Sequence, residues 1–481
     1  MRGFLSPVFF EKGITIDPLL ISADELTQQY RSRELSPVEV TRAVLARIAR
    51  LNPIYNAFCV LDEQAALESA RQSEQRWLSG KPLGPADGVP TTIKDLILAK
   101  GWPTLRGSRT IDPNQTWNED GPPVARLREQ GAIILGKTTT PEFGWKGVTD
   151  SPLTGITRNP WNTDVTPGGS SGGAAVAAAL GMGTFNVATD GGGSIRIPAS
   201  FCGLFGFKPT WGVVPVYPHS PAWTLWHQGP ISRTVSDAAL MLNLIAQPDA
   251  RDWAVGPALD IDYAKDLDLG VKGLRIGYSP TLGYAKVDAD VANLAKRAVN
   301  EFTALGADVE EIDLKLDDPI SIMQPMWAVA LALAVAPMSP AQRALCDPGM
   351  LELAEPGFKL SALEYRQLER ARDAFGRRMN GLHSQYDLVI TPQLATTAFA
   401  VGHEVPPGGD LKRWWQWSPF TYPFNLTQQP AACVPCGFAT NGLPVAMQIV
   451  GAKFADPLVL RAARAYETAH PFALPQPSRR A

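Results

Sequence analysis

Apolar residues along this chain alternate between stripes at helical spacing and short continuous runs, which is the pattern of helices packed on buried strands. Val40, Val44, Ile48 and Leu51 recur every three or four positions and predict a helix with one apolar face. Ser36-Pro-Val-Glu39 opens it as a capping box with Pro37 at the first helical position, and Ser22-Ala-Asp-Glu25 opens another helix before it. Residues 91–98 and 132–135 read as strands, with a short helix over 124–130 between them closed by Gly131. A strong helix former over 174–180 precedes a strand at 184–189. Residues 274–278, 291–305 and 309–314 repeat the order strand, helix, strand, the helix ending at Gly306. Two more apolar strands follow at 386–391 and 445–451. This alternation predicts an α/β fold, a largely parallel sheet with helices on its faces.

Composition narrows the function classes. A length of 481 residues allows several domains, but no charged or Pro/Ser/Gly linker divides the chain, so one large domain is expected. With 44 basic and 47 acidic side chains the net charge is −3, and neither nucleic acid nor an anionic membrane is an expected partner. The apolar stretch at 326–338 is shorter than the roughly 20 residues that cross a bilayer. Residues 1–12 make a poor export signal, because Pro7 breaks the apolar run and charges follow it. A soluble, cytoplasmic protein is expected. Cysteines at 59, 202, 346, 433 and 436 form an odd, scattered set, read as reduced thiols. Cys433-Val-Pro-Cys436 has redox or metal spacing, but it lies in an apolar run without a second ligand pair and reads as buried small residues. No metal or cofactor is expected.

Candidate chemistry is concentrated between residues 166 and 198. Thr166-Pro-Gly-Gly-Ser-Ser-Gly-Gly and Thr189-Asp-Gly-Gly-Gly-Ser-Ile-Arg-Ile-Pro198 surround Ser170 and Ser194 with glycine. Glycine lets the backbone approach a ligand and aim several N–H groups at one point, the requirement of an oxyanion hole. Gly168-Gly-Ser-Ser-Gly172 matches a nucleophile elbow in form, yet the elbow needs a buried strand before its serine, and residues 158–167 are a turn-rich loop. None of His219, His227, His383, His403 and His470 sits in a recognisable catalytic context. A lysine stripped of water can replace histidine as base, because desolvation lowers its pKa. Lys94, Lys137 and Lys208 all lie in apolar surroundings, and spacing alone does not choose among them.

Taken together these stretches resemble the amidase signature family. Gly88-Val-Pro-Thr-Thr-Ile-Lys-Asp-Leu96, Gly136-Lys-Thr-Thr-Thr-Pro-Glu-Phe143 and Phe201-Cys-Gly-Leu-Phe-Gly-Phe-Lys-Pro-Thr210 match it. So do Gly229-Pro-Ile-Ser-Arg-Thr-Val-Ser-Asp237 and Gly442-Leu-Pro-Val-Ala-Met-Gln448, and the likeness runs from about residue 20 to 465. The resemblance implies an α/β fold with a single large mixed, largely parallel β-sheet sandwiched between helices. It implies one domain over 1–481, with variable substrate-facing regions at about 211–228, 318–360 and 400–424. It assigns Lys94 as general base, Ser170 as a bridging serine after a cis Gly169–Ser170 peptide, and Ser194 as nucleophile. Gly191, Gly192 and Gly193, with the Ser194 amide, would form the oxyanion hole, while Asp190 and Arg196 brace that loop.

The expected reaction is amide hydrolysis through an acyl-enzyme on Ser194. Tyr217, Trp223, Trp226, Trp327, Trp414 and Trp415, with Trp417, Phe420 and Tyr422 nearby, crowd the variable regions and suggest an apolar pocket. That favours hydrophobic or aromatic amides and anilides, as in a bacterial aryl acylamidase, with aryl carbamates (urethanase-like) and esters as further candidates. The alternative is the glutaminase subunit of a glutamine-dependent aminoacyl-tRNA amidotransferase. That subunit carries an Arg-Tyr-Gly-Leu type of segment after Lys-Pro-Thr, where this chain has Trp211-Gly-Val-Val, and a glycine where this chain has Gln428. The expected partner is a small-molecule amide, with homodimerisation open.

Overall fold

Both predicted capping boxes are present in the computed structural model, which describes residues 10–11, 14–15, 17–256 and 259–476. They open helices α1 (Ala23–Ser32) and α2 (Pro37–Tyr55), and Val40, Val44, Ile48 and Leu51 are buried as their spacing requires. The reading of residues 1–12 as a poor export signal rests largely on residues outside those described. Among the described residues no helix is long and apolar enough to cross a membrane, and all five cysteines are free.

Eleven strands form one sheet. In chain order they begin with β1 (Phe58–Leu61), β2 (Pro90–Lys94), β3 (Ile133–Thr138), β4 (Phe185–Asp190), β5 (Phe205–Lys208) and β6 (His227–Ser232). They continue with β7 (Arg275–Tyr278), β8 (Asp308–Glu311), β9 (Leu388–Pro392), β10 (Ala431–Phe438) and β11 (Pro444–Gly451). Across the sheet the order is β8-β7-β9-β11-β10-β5-β6-β4-β2-β3-β1. Parallel pairing occupies two groups of three, β8-β7-β9 and β4-β2-β3. The strands between these groups, and the edge pair β3-β1, are antiparallel. The mixed sheet that the resemblance implies is therefore present, with parallel pairing confined to these two groups. β10 and β11 need no crossover because a tight connection containing Asn441 and Gly442 (φ 77°) joins them.

Two strands end earlier than expected. The strand expected over 91–98 ends at Lys94, where the Ile97 amide donates to the Lys94 carbonyl at 3.0 Å and turns the chain. The strand expected over 309–314 ends at Glu311. The first difference matters for function, because it leaves Lys94 at a strand terminus instead of inside a ladder.

Helix α3 (Gly172–Ala179) is apolar on every side and entirely buried, as its composition predicts. It packs with Ile195, Ala199 and Cys202 in a core shared with α2. A second core, including Phe205, Phe207, Ile276 and Ile390, is built on other residues of the same strands. A third, rich in tryptophan, joins α4 (Arg196–Cys202) to α5 (Ile320–Val335) through Phe201, Trp327, Trp414 and Trp417.

Candidate active site

Lys94 is fully buried at the end of β2, with Nζ 2.7 Å from Ser170 Oγ and 2.8 Å from Thr189 Oγ1. Burial pushes its pKa well below the ordinary lysine range, and the nearby Asp190 carboxylate opposes this only in part. The same burial that weakens its hold on a proton sets the amine against a serine hydroxyl. The other two candidate lysines are engaged elsewhere. Lys137 pairs with Asp95 at 2.9 Å, and Lys208 donates to the carbonyls of Pro209 and Gln429. Among the described residues no histidine hydrogen-bonds to Ser170 or Ser194; His227 Nδ1 lies between the carbonyls of Leu225 and Asp190 at 2.9 and 3.2 Å.

The Gly169–Ser170 peptide is cis. A Cβ added at Gly169 would lie 2.6 Å from the Val148 carbonyl, so only glycine fits there. Thr149 Oγ1 clamps the turn, donating to the Gly168 carbonyl at 2.8 Å and accepting the Gly172 amide at 3.0 Å. The two glycine–serine segments lie side by side: Ser171 N–H donates to the Ser194 carbonyl at 3.3 Å, and Ser171 Oγ donates to the Thr189 carbonyl at 3.2 Å. Sequence reading did not single out Thr189, although it opens the second glycine–serine motif.

Asp190 and Arg196 form a fully buried pair, with Arg196 Nε and Nη2 donating to the two carboxylate oxygens at 2.9 and 3.0 Å. Burial alone would raise the Asp190 pKa, but the guanidinium overrides it and holds the carboxyl well below the usual range. Asn425 Nδ2 also donates to Asp190 Oδ1 at 2.8 Å, and Arg196 Nη1 donates to Gln448 Oε1 at 2.7 Å. Gln448 lies in a segment noted from sequence and Asn425 three residues before Gln428, but their place in this brace becomes visible only when distant segments meet.

The brace changes one assignment. Gly193 N–H donates to Asp190 Oδ1 at 2.7 Å, so it is held by the loop itself and not directed at a substrate oxygen. The amides of Gly191, Gly192 and Ser194 have no acceptor among the described residues. Gly193 keeps a different requirement for glycine, a φ of 134° and a would-be Cβ 2.7 Å from Thr421 Cβ.

Residues 39–460 match the amidase family. The chain belongs to the amidase family. It is 35% identical to an acylamidase of Rhodococcus erythropolis over 95% of this chain and 97% of that one. It is 33% identical to the A subunit of the glutamyl-tRNA(Gln) amidotransferase of Geobacter metallireducens, covering 93% and 97%. Its fold is similar to that of a bacterial aryl acylamidase of the amidase signature family, with a TM-score of 0.89 and 32% identity over 95% and 97% of the two chains. Membership makes this protein a hydrolase of carbon–nitrogen bonds other than peptide bonds.

In this amidase-family chain the aromatic residues of the variable regions divide into two groups. Tyr217, Trp226 and Trp327 line a cleft with Leu96, Ile97, Phe143 and the 218–222 loop. The cleft abuts the glycine loop: a Cβ on Gly191 would lie 3.0 Å from the Trp327 ring and 3.3 Å from Trp226. Trp414 packs on Gly192, whose would-be Cβ lies 2.6 Å from its ring. Trp223, Trp414 and Trp415 do not line the cleft. Trp223 is exposed and packs beside His219 and Trp253, and Trp415 is buried behind Trp414. Trp417 stacks on Phe201 in the tryptophan-rich core. Gln428 adopts a φ of 64°, and its side chain meets the Thr224 carbonyl and Lys453. Gln428 itself is not among the residues lining the cleft.

Proposed function

We propose that this chain is a stand-alone amide hydrolase acting through an acyl-enzyme on Ser194, with Ser170 as proton relay and Lys94 as general base. One observation carries the reading: a fully buried lysine amine 2.7 Å from the hydroxyl of Ser170. Neutral Lys94 accepts the Ser170 proton while Ser170 takes that of Ser194, and Ser194 Oγ bonds to the amide carbonyl carbon. The amides of Gly191, Gly192 and Ser194 stabilise the tetrahedral oxyanion. The relay then returns the proton to the departing amine as the carbon–nitrogen bond breaks. Water attacks the acyl-enzyme by the same relay, releasing the acid and restoring Ser194.

The cleft of Tyr217, Trp226 and Trp327 beside the glycine loop supports hydrophobic or aromatic amides and anilides as substrates, with aryl carbamates and esters as secondary ones. The likeness to an acylamidase and an aryl acylamidase supports the same choice. The equally extensive likeness to the glutamyl-tRNA(Gln) amidotransferase chain keeps a glutaminase as the second reading. It predicts a stable partner protein and little activity of the isolated chain. The test is a hydrolysis screen over anilides, primary amides including glutamine, esters and aryl carbamates, with Ser194→Ala as blank. Anilide turnover exceeding that of glutamine is expected. Glutamine turnover equal to or above the best aryl amide would overturn the substrate reading, and wild-type rates in Ser194→Ala would overturn the nucleophile.

A further inference from the structure

The cleft beside the glycine loop has an apolar wall with one guanidinium in it. Arg106 lines it together with Leu96, Phe143, Tyr217 and Trp327. Its side chain is partly buried and has neither a hydrogen bond nor an ion pair with any described residue. Three other interior arginines have partners for their terminal nitrogens, although Arg233 Nε has none. Arg196 is paired with Asp190, Arg233 donates to the carbonyls of Ile21, Ala178 and Gly183, and Arg372 donates to Thr224 and Leu426. A guanidinium drawn partly out of water without a counter-charge is unfavourable, and a ligand anion is what would remove that penalty.

The surrounding charges do not supply the partner. Asp95, the carboxylate whose field reaches Arg106, is paired with Lys137 at 2.9 Å and accepts the Gly107 amide at 3.4 Å. Glu119 lines the adjoining groove, where its carboxylate accepts the Tyr217 hydroxyl at 3.4 Å, and it forms no ion pair with Arg106. Burial lowers the Arg106 pKa, as expected of a cation held off from solvent.

The backbone holds this side chain in place at some cost. Arg106 has a φ of 55°, a left-handed conformation that suits glycine far better than a long side chain. Its carbonyl accepts the Phe143 amide at 2.8 Å. The residue after Phe143, Gly144, borders the relay, since a Cβ there would lie 3.1 Å from Ser170 Oγ. The loop bearing the guanidinium is therefore anchored one residue from the reacting groups. A second polar atom on the same cleft is also unpartnered: Gln228 Oε1, on a residue only 3% exposed, can accept an N–H from a bound molecule.

We propose that Arg106 binds a carboxylate on the group occupying this cleft, so that the preferred substrates are aryl or alkyl amides carrying an anion at the end remote from the scissile bond. This deepens the amide-hydrolase reading above and rests on it. The planar fork of arginine suits bidentate carboxylate recognition, and Gln228 would fix the polar body of the same ligand.

The test uses pairs of aryl amides identical except for a ring carboxylate, placed in one series on the acyl arm and in the other on the amine arm. In the wild type, kcat/KM for the carboxylated member of one series should exceed its neutral partner by about tenfold or more. Arg106→Gln should bring that ratio close to one, and Arg106→Glu should reverse it in favour of an ammonium-bearing analogue. A wild-type ratio near or below one in both series overturns the inference, and so does a ratio unchanged by either substitution. The wild-type measurement decides even if a variant fails to fold. Should the wild type hydrolyse glutamine but no aryl amide of either series, the amide-hydrolase reading itself has failed. If it hydrolyses neutral and carboxylated aryl amides alike, only the Arg106 assignment falls.

Discussion

Lys94 combines a buried amine, two hydroxyl neighbours at 2.7 and 2.8 Å and a carboxylate nearby whose own charge is already matched by Arg196. A protonated Lys94 would be poorly compensated there, so the neutral base dominates at lower pH than for a solvated lysine. Activity should accordingly fall on acidification as Lys94 gains its proton, and a kcat/KM profile against pH on an anilide measures that acid limb. The stability sign follows the same logic. In the window between the lowered folded pKa and the unfolded value of about 10.4, the unfolded chain binds the extra proton, so stability rises with pH. Lys94→Met should therefore lower turnover by about 100- to 10,000-fold or more while leaving Tm unchanged or higher. A marked drop in Tm would show that Lys94 is structural instead. From sequence, Lys94, Lys137 and Lys208 were equivalent as buried cations, and only the resemblance preferred the first. Their partners separate them in three dimensions, and those partners lie up to 221 residues away in the chain.

At the scale of the element, the glycine loop is a device made of several parts. Asp190 holds the Gly193 amide, Arg196 holds Asp190, and Asn425 and Gln448 hold the pair from other parts of the chain. Removing one member of a buried ion pair leaves an uncompensated charge, so Arg196→Ala should destabilise the fold by about 3–5 kcal/mol in a denaturant titration. Because the Asp190 pKa is depressed, its contribution is present above about pH 4 and is lost as pH falls further, through the folded pKa. Gly192→Ala drives a methyl to within 2.6 Å of the Trp414 ring. It should lower kcat by about 100-fold through displacement of an oxyanion donor, and Trp414→Phe in the same chain should restore part of that loss. Motif reading located this loop but treated its glycines as equals. Which amides are open and which are occupied depends on the aspartate that folds back beneath them.

For the whole molecule, sheet order decides what is brought together. β4 lies between β2 and β6, so Lys94, Thr189 and His227 arise from neighbouring strands although up to 133 positions separate them in the chain. The five free thiols are distributed through the fold, and burial raises the pKa of each; those of Cys346 and Cys436 are pushed up to about 12. Native protein treated with iodoacetamide near neutral pH should therefore be alkylated slowly and keep its activity, as intact mass and an anilide assay would show. Rapid inactivation would reveal a cysteine essential to catalysis. The aromatic clusters were legible as clusters, yet their roles were not. Trp327 and Trp414 meet the glycine loop, while Trp223 lies at the surface and Trp415 lies behind its neighbour. Thr189, Asn425 and Gln448, which hold the site together, and Arg106, which lines the cleft, carry no periodic signal, since single polar side chains leave no mark on a hydrophobic pattern.

Sequence by itself determined what depends on local chemistry: the capped helices, the apolar strands and the two glycine-flanked serines, because caps, periodicity and backbone freedom act over a few residues. Tertiary structure alone decided which lysine meets Ser170, which glycine amides remain open, which tryptophans border the cleft and where an unpaired guanidinium stands. Those outcomes depend on distances between segments far apart in the chain, and burial, hydrogen bonding and charge compensation act only once such segments touch.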